Sequence, residues 1–234
     1  MYSIDIKTYP SSCDESGNMK LYRVMQAMQD CSELWLQSEP IFRDYFEQNG
    51  MAQLLAYRQL DILRVPCYAE NLRVSTSVYD VNPMFGYRNT CIYDSNNLPC
   101  YKSWGMGAFV NRQTGKLQKV PKEVLDSVTM EAPVEMEYTE RRIMLPDIEF
   151  DILPQIDVMK QDIDYNHHVN NAEYLRHALE FLPADFEIRQ IRIEYKVPAK
   201  VGDVIIPKIA RDGDSIFVVM YIGTAISTIF QFRK

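Results

Sequence analysis

The first half of the chain combines one long segment of helical periodicity with several segments of strand character. Apolar residues recur every three or four positions from Leu21 to Leu36, which predicts a helix near 19–37 that ends before Pro40. Turn signals separate the remaining apolar stretches. These stretches predict strands at Tyr2–Tyr9, Gln59–Val65, Leu72–Val81, Phe85–Tyr93 and Cys100–Asn111.

The second half repeats that order on a smaller scale. A strand near Ile156 leads into a polar loop, and a helix over 171–181 follows, with Asn170 as its N-cap and Glu173 as the acid of a capping box. Pro183 ends this helix. Four further strands are predicted at Ile191–Val197, Val204–Ala210, Ile216–Ile222 and Ala225–Phe232.

Short matches relate the two halves. Arg64-Val65-Pro66 is echoed by Lys196-Val197-Pro198, 132 residues later, whereas the loop residues Asp14 and Asp164 lie 150 residues apart. The difference predicts an insertion of 18 residues after the first helix, around 39–56. A strand, a long helix and an antiparallel sheet, given twice, predict an α+β protein built as a tandem hotdog, in which each sheet wraps around one helix.

Composition and charge narrow the function. The chain has 234 residues, of which 47% are hydrophobic and 24% charged, as is typical of a globular protein with a substantial core. The net charge of −7 argues against a nucleic-acid partner. The first residues lack the apolar core of a signal peptide, and the longest apolar run, around 216–226, is about half the ~20 residues that span a bilayer.

The five cysteines all lie in the first half, are odd in number and include no C-x-x-C pair. A disulfide framework or a zinc site is therefore not expected, and neither a metal nor another cofactor is predicted. A reducing cytoplasm fits this cysteine usage best.

The polar loop 162–171 concentrates residues that can carry chemistry, and all three histidines of the chain lie within 167–177. Because a helix N-terminus presents free N–H groups and a positive dipole end, the amides near Asn170 and Asn171 could hold an oxyanion. A carboxylate and an imidazole in the same loop could activate water. The same residue types are also common in N-cap loops without a catalytic role, so the residues alone leave both interpretations open.

The loop and the helix that follows it resemble a long and specific motif. Asp164-x-Asn166-x-His168-Val169-Asn170-Asn171-x-x-Tyr174 is similar to the active-site motif of the fatty acyl-ACP thioesterases of plants and bacteria. The resemblance covers most of the chain. In the first half, it is carried by Arg64-Val65-Pro66, Thr76, Trp104, Asn111–Lys116 and Val120–Val124, which are similar to the first-domain strands of that family and their exit.

The resemblance implies a fold, a reaction and a site. The family is a double hotdog that hydrolyses fatty acyl thioesters of acyl carrier protein, which would be the partner that bears the substrate. For this chain it implies a hotdog at 1–130 that binds the acyl chain, a connector at 131–149 and a catalytic hotdog at 150–234. The residues that match the family's catalytic Asp, Asn and His are Asp164, Asn166 and His168.

One departure from the family pattern bears on the mechanism. Plant members carry a Glu-Cys pair shortly after the element matched here by Ile193-Glu194-Tyr195, and gapless counting puts Pro198 and Ala199 at those positions. The second half contains no cysteine, so hydrolysis by an activated water is the simpler expectation. Glu194, on the polar face of its strand, is a candidate auxiliary acid in place of the missing carboxylate.

An activated-water mechanism assigns a role to each motif residue. Asp164 is the leading base or water-orienting group, and His168 is a second base or a polarising group. Asn166 would orient the water or the thioester carbonyl. His167 and His177 are expected on the surface, the latter because it lies off the apolar stripe of its helix.

Other functions remain open at this stage. An acyl-CoA thioesterase would use the same chemistry, whereas a hotdog dehydratase or a non-catalytic acyl-binding protein would not need the Asp-x-Asn-x-His run. The oligomeric state is also open, with a homodimer as one option. Because acyl carrier protein is strongly acidic, docking needs a local basic surface. Candidates are Arg141, Arg142, Lys196 and Lys200, with Lys116, Lys119 and Lys122 as a second cluster.

Overall fold

The computed structural model describes all residues from 1 to 234 and divides into two compact units. The first unit comprises residues 1–20 and 26–138, and the second comprises residues 21–25 and 139–234. Both units contain an antiparallel sheet, and the class is α+β, as the sequence predicts. None of the helices combines the length and the apolar character that crossing a membrane requires.

Four of the five strands of the first unit lie close to their predicted positions, and β2 begins earlier than predicted. They are β1 (Tyr2–Lys7), β2 (Met51–Ile62), β3 (Asn71–Val81), β4 (Phe85–Asp94) and β5 (Pro99–Asn111). Their order in the sheet is β1-β3-β4-β5-β2, and every neighbouring pair is antiparallel. The helices of this half of the chain are α1 (Leu21–Ser38), α2 (Pro40–Gln48) and α3 (Lys122–Leu125).

Helix α1 packs against one face of this sheet. The buried thiol of Cys31 lies 3.5 Å from the carbonyl oxygen of Val74 in β3. The Arg88 guanidinium, which projects from β4, lies 4.2 Å from the centre of the Trp35 ring and donates to the carbonyl of Ser32 at 3.2 Å. Burial lowers the pKa of Arg88 to about 10. This buried cation contacts α1 through the face of the Trp35 ring and the backbone carbonyl of Ser32.

The segment that follows α1, where an insertion at 39–56 is predicted, contains a second helix, α2. Pro40 is the first residue of α2, a position where its missing N–H removes no hydrogen bond, so it begins a second helix instead of only ending the first. Phe42 and Phe46 of α2 are buried and stack with ring centres 4.4 Å apart. Both rings also meet Phe109 of β5 edge-on, which fastens the inserted helix to the sheet.

Strand β2 begins at Met51, eight residues before the strand predicted from Gln59. The register of β2 against β5 shifts between Leu55 and Tyr57, which marks a β-bulge. A bulge places two successive residues opposite one, so it interrupts the alternation of apolar and polar residues by which a strand is recognised in sequence.

The second unit is built from shorter elements. Its strands are β6 (Asp151–Ile152), β7 (Ile156–Asp157), β8 (Gln190–Tyr195), β9 (Val204–Asp212), β10 (Ser215–Ile222) and β11 (Ala225–Arg233). They run antiparallel in the order β8-β11-β10-β9, and both β6 and β7 pair with β9. Helix α4 (Asn171–Leu179) ends two residues before the predicted end, and it buries Tyr174 and Leu175.

Hydrogen bonds inside each unit define the internal repeat more closely than the sequence does. In the first unit, the N–H of Cys67 donates to the Glu70 carboxylate at 2.6 Å; in the second, the N–H of Lys200 donates to the Asp203 carboxylate at 2.8 Å. These equivalent residues are 133 positions apart, so the predicted offset of 132 is one residue short. The sequence match of Pro66 with Pro198 is wrong for the same reason, since Pro66 corresponds to Ala199.

The repeat yields a matched test of backbone strain. Ala69 in the first unit and Gly202 in the second occupy the same turn, with φ of 68° and 88°. Because a Cβ disfavours this left-handed conformation, we expect Gly202→Ala to lower the free energy of unfolding by about 1 kcal/mol and Ala69→Gly to raise it by a similar amount. Urea unfolding midpoints measure both changes.

Ala225→Gly provides the control, since Ala225 lies in β11 with an ordinary φ and its replacement should only lose stability. If Ala69→Gly destabilised the protein as much as Ala225→Gly, the strain assigned to this turn would be absent.

Candidate active site

Backbone hydrogen bonds close the polar loop that precedes α4. The N–H of Asp164 donates to the carbonyl of His168 at 2.9 Å, and the N–H of His167 donates to the carbonyl of Asp164 at 3.0 Å. The Asp164 Oδ1 atom also accepts the N–H of Asn166 at 2.8 Å. Asp164 therefore shapes the loop with one carboxylate oxygen and has no hydrogen-bond donor at the other, which is the oxygen that a water molecule could use.

Side chains alternate along this loop. Asp164, Asn166 and His168 are half-buried, whereas Tyr165 and His167 are exposed, as expected for His167. His167 has a φ of 63°, the left-handed conformation that completes the tight loop. The three residues matched to the family's catalytic set are thus shielded together while their neighbours point to solvent.

Electrostatics at His168 favour the neutral imidazole. Burial lowers its pKa below the ordinary value, the charge of Lys200 lowers it further, and the Asp164 carboxylate acts in the opposite direction. Lys200, which the sequence suggests only as part of a docking surface, is therefore a member of the charged surroundings of His168. A neutral imidazole can accept a proton near neutral pH.

The N-cap residue of α4 is the predicted one, but the predicted capping box does not form. The Asn170 side chain accepts the N–H of Ala172 at 2.9 Å, which confirms Asn170 as the N-cap. The capping box is wrong, because the Glu173 carboxylate pairs with Arg176. The N–H that such a box would satisfy is already used, since the N–H of Asn170 donates to the carbonyl of Asp162 at 2.8 Å.

This capping changes the expected oxyanion site. The N–H of Asn170 is bonded and cannot also stabilise an oxyanion, whereas the N–H of Asn171 takes no acceptor in the structure. Of the two predicted amides, Asn171 is the one that the first turn of α4 leaves open to a ligand.

The turn at Ala199 ties the loop to the helix. The carbonyl of Ala199 accepts the N–H of Val169 at 2.9 Å, and the N–H of Ala199 donates to the hydroxyl of Tyr174 at 2.7 Å. Ala199 is fully buried and Tyr174 is 2% exposed. The Ser227 hydroxyl lies 3.4 Å from the same Tyr174 oxygen. The position matched to the plant cysteine therefore anchors the backbone of the site, and Tyr174 has a structural role that the motif alone does not reveal.

Glu194 is not brought to the loop. Its carboxylate accepts the N–H of Ile143 and lies 2.7 Å from the Lys196 ammonium. The polar face of β8 is covered by the preceding segment, since Arg192 donates to the carbonyl of Arg142 at 3.1 Å, and Glu194 is buried as a result. The structure shows no contact between Glu194 and Asp164 or His168, so the role of Glu194 as an auxiliary acid stays a prediction that these contacts do not support.

His177 also differs from its expected position on the surface. Its ring is half-buried, and its Nε2 atom lies 3.2 Å from the Nη2 atom of Arg176. Burial, followed by the charge of Arg176, lowers the pKa of His177. A guanidinium donates to a neutral imidazole, so this pair forms only when His177 is unprotonated.

The cysteines are all free thiols. Cys67 is exposed, and Cys13, Cys31, Cys91 and Cys100 are buried. Burial raises the pKa of Cys31 to about 11 and also raises the pKa of Cys91 and Cys100, so these thiols are protonated near neutral pH. No group of three or more His, Cys, Asp or Glu side chains lies close enough together to hold a metal ion.

Comparisons with known proteins agree on one family. The family model described as the acyl-ACP thioesterase N-terminal domain matches residues 2–128, and the one described as the acyl-ACP thioesterase C-terminal domain matches residues 147–219.

Two similar curated proteins are chloroplastic acyl-[acyl-carrier-protein] hydrolases of Cuphea viscosissima. FATB3 is 22% identical over 225 residues, which are 90% of this chain and 54% of that protein. FATB1 is 20% identical over 224 residues, which are 87% and 52% of the two chains. The chain thus spans about half the length of these relatives.

Solved structures of similar shape include an acyl-ACP thioesterase from Bacteroides thetaiotaomicron and a 12:0-ACP thioesterase from Umbellularia californica. Both superimpose with a TM-score of 0.87 and cover 99% of this chain and 96% of their own, at 17% and 16% identity. At such identities the likeness concerns the fold, and it confirms the predicted tandem hotdog.

The surroundings of His177 predict a dependence of stability on pH. Because its pKa is lowered in the folded protein, the unfolded chain binds a proton more readily, and stability falls as the pH drops through about 6.5, the ordinary value for histidine, towards the lower folded pKa. His177→Gln should reduce the loss of unfolding free energy between pH 7.5 and 5.5. Urea unfolding at the two pH values measures the loss, and an equal loss in both proteins would contradict the assignment.

Proposed function

Because the chain belongs to the acyl-ACP thioesterase family, we propose that it hydrolyses fatty acyl thioesters of acyl carrier protein to a free fatty acid and the carrier thiol. The observation that carries the proposal is the loop before α4. It presents a carboxylate, an amide and an imidazole, all half-buried, next to the open first turn of a helix. This arrangement suits attack by water on an acyl carbon and stabilisation of the oxyanion that results.

In the proposed mechanism, Asp164 holds a water molecule with the carboxylate oxygen that the loop leaves unused. The water oxygen attacks the thioester carbonyl carbon, and its proton passes to Asp164 or to the neutral imidazole of His168. Asn166 orients the water or the carbonyl, and the N–H of Asn171 stabilises the tetrahedral oxyanion. When this intermediate collapses, the carbon–sulfur bond breaks and the departing sulfur takes up the proton as a thiol.

A cysteine nucleophile is not required by this proposal. Every cysteine belongs to the first unit, and burial keeps the Cys31, Cys91 and Cys100 thiols protonated. A protonated thiol is a poor nucleophile. The activated-water route uses groups that all lie in one loop of the second unit and at the start of α4, which follows it.

The two units divide the work in this proposal. Residues 150–234 carry the chemistry, residues 131–149 form the connector, and residues 1–130 bind the acyl chain. In favour of this division, α1 has 18 residues, most of them in the first unit, whereas α4 has 9. The longer helix offers more apolar surface against which a hydrocarbon chain can lie.

The acidic carrier requires a basic surface, and several of the candidate lysines are already engaged with other groups. Lys196 is paired with Glu194, and Lys122 forms an ion pair with Asp126 at 2.6 Å. Lys200 belongs to the surroundings of His168. The exposed pair Arg141 and Arg142 remains as the docking site that we propose, with exposed Lys116 and Lys119 in the first unit as the alternative.

The chemistry is tested by three variants assayed for thiol release from acyl-ACP. Asp164→Asn and His168→Ala should each lower kcat by about 10²–10⁴-fold, because each removes a group that handles the proton of the attacking water. Replacement of all five cysteines by serine should leave the chemical step largely intact. Circular dichroism verifies the fold of each variant. A folded cysteine-free protein without activity, beside an active Asp164→Asn, would require a thiol nucleophile.

The carrier is tested by reversing charge at the docking site. Arg141→Glu combined with Arg142→Glu should raise the KM for acyl-ACP by about tenfold and spare acyl-CoA, since only the protein carrier presents an extended acidic surface. Arg189→Glu with Arg211→Glu, at two exposed positions of the same unit, is the matched control. Equal changes with both substrates, or a preference of the parent protein for acyl-CoA, would refute docking at this pair.

A further inference from the structure

The first unit contains the same closed loop as the candidate active site. There the N–H of Asp14 donates to the carbonyl of Asn18 at 2.8 Å, and the N–H of Gly17 donates to the carbonyl of Asp14 at 3.1 Å. The Asp14 Oδ1 atom accepts the N–H of Ser16 at 2.9 Å. Each of these bonds has its counterpart 150 residues later, so the backbone position of Asn18 corresponds to that of His168.

The turn that meets the loop is repeated as well. The N–H of Met19 donates to the carbonyl of Pro66 at 2.8 Å, just as the N–H of Val169 donates to the carbonyl of Ala199. The next residue of each turn, Cys67 or Lys200, donates its N–H to a carboxylate three residues on. Cys67 is therefore the structural counterpart of Lys200.

In the first unit, the side chains of Cys67 and Asn18, the counterparts of Lys200 and His168, face one another. The Cys67 sulfur lies 3.7 Å from the Oδ1 atom of Asn18. Since the backbone bonds on both sides are the same in the second unit, the side chain of Lys200 starts from a position that faces His168. The repeat thus places the start of the Lys200 side chain opposite the His168 position of the loop.

We propose that Lys200 is a positioning residue of the thioesterase reaction, which acts through His168 by holding a positive charge against its imidazole. This inference rests on the proposed function. The positive charge opposes the Asp164 carboxylate, which would otherwise favour a protonated imidazole, and burial acts in the same direction as Lys200. Lys200 thereby keeps His168 able to accept the proton of the attacking water.

The other charged or titratable groups around the loop have identifiable positions. On the loop itself they are Asp164 and His167; on the turn, Asp203 binds the N–H of Lys200; and on α4, the Tyr174 hydroxyl accepts the N–H of Ala199. Burial raises the pKa of Tyr174, so it carries no charge near neutral pH. Of the groups that act on His168, only Lys200 is a permanent cation near neutral pH.

The test compares Lys200→Gln and Lys200→Met with Lys200→Arg, and uses Lys160→Gln as a charge-matched control at another exposed position of this unit. Thiol release from a fatty acyl N-acetylcysteamine thioester avoids effects on carrier docking. The ratio of wild-type kcat to variant kcat should be about two- to threefold larger at pH 5.5 than at pH 8 for the Gln and Met variants. Lys200→Arg and Lys160→Gln should keep the wild-type pH profile.

Proton NMR of the His168 ring, assigned with His168→Gln, measures the same effect without substrate. The His168 titration should move to higher pH in Lys200→Gln and Lys200→Met and stay in place in Lys200→Arg. An unchanged titration in the two neutral variants, or an equal shift in Lys160→Gln, overturns the proposal. Absence of thiol release from acyl-ACP by the wild-type protein would instead refute the proposed function, and the titration would still decide whether Lys200 acts on His168.

Discussion

The second unit depends on the pair of hydrogen bonds made by the backbone of Ala199. Its carbonyl holds the loop at Val169, and its N–H holds the helix through the Tyr174 hydroxyl. These groups are buried, where an unpaired N–H or C=O would cost about 1–3 kcal/mol, so the turn, the loop and α4 keep one relative position. That position presents the Asp164 carboxylate and the His168 imidazole beside the open N–H at the start of the helix, and it brings Lys200 to the loop.

The same scaffold occurs twice and carries different side chains each time. The first loop has Asp14, Ser16, Gly17 and Asn18 where the second has Asp164, Asn166, His167 and His168. Both aspartates shape their loops through backbone N–H groups, so the carboxylate alone does not distinguish a catalytic loop from a structural one. The two loops differ at the last position, where only the second carries an imidazole. The repeat therefore separates what the fold requires from what the proposed reaction adds.

Burial decides which charged groups remain available for chemistry. Glu194 and Arg192 lie on the polar face of β8, yet both are engaged by the segment that covers this face. Asp162 is likewise buried, and its carboxylate accepts the N–H of Met159 at 2.8 Å. Asp164, only half-buried and with one oxygen unused, differs from both. Of the two aspartates in the loop, Asp164 is therefore the one whose carboxylate is open to a water molecule.

The sequence by itself determined the α+β class, the order of the main strands and of α1 and α4, the tandem repeat and the N-cap at Asn170, because these follow from local periodicity and from short-range backbone chemistry. It did not reveal α2, since Pro40 signals the end of a helix as readily as the start of one. It also singled out the loop of Asp164, Asn166 and His168 through a motif whose residues are neighbours in the chain. Only the tertiary structure decided the burial and the surroundings of the Glu194, His177 and Lys200 side chains. The segment that covers Glu194 lies about 50 residues before it in the chain, and the turn that carries Lys200 lies 32 residues after His168. The half-burial of the His177 ring follows from the packing of α4, which its sequence neighbour Arg176 does not reveal.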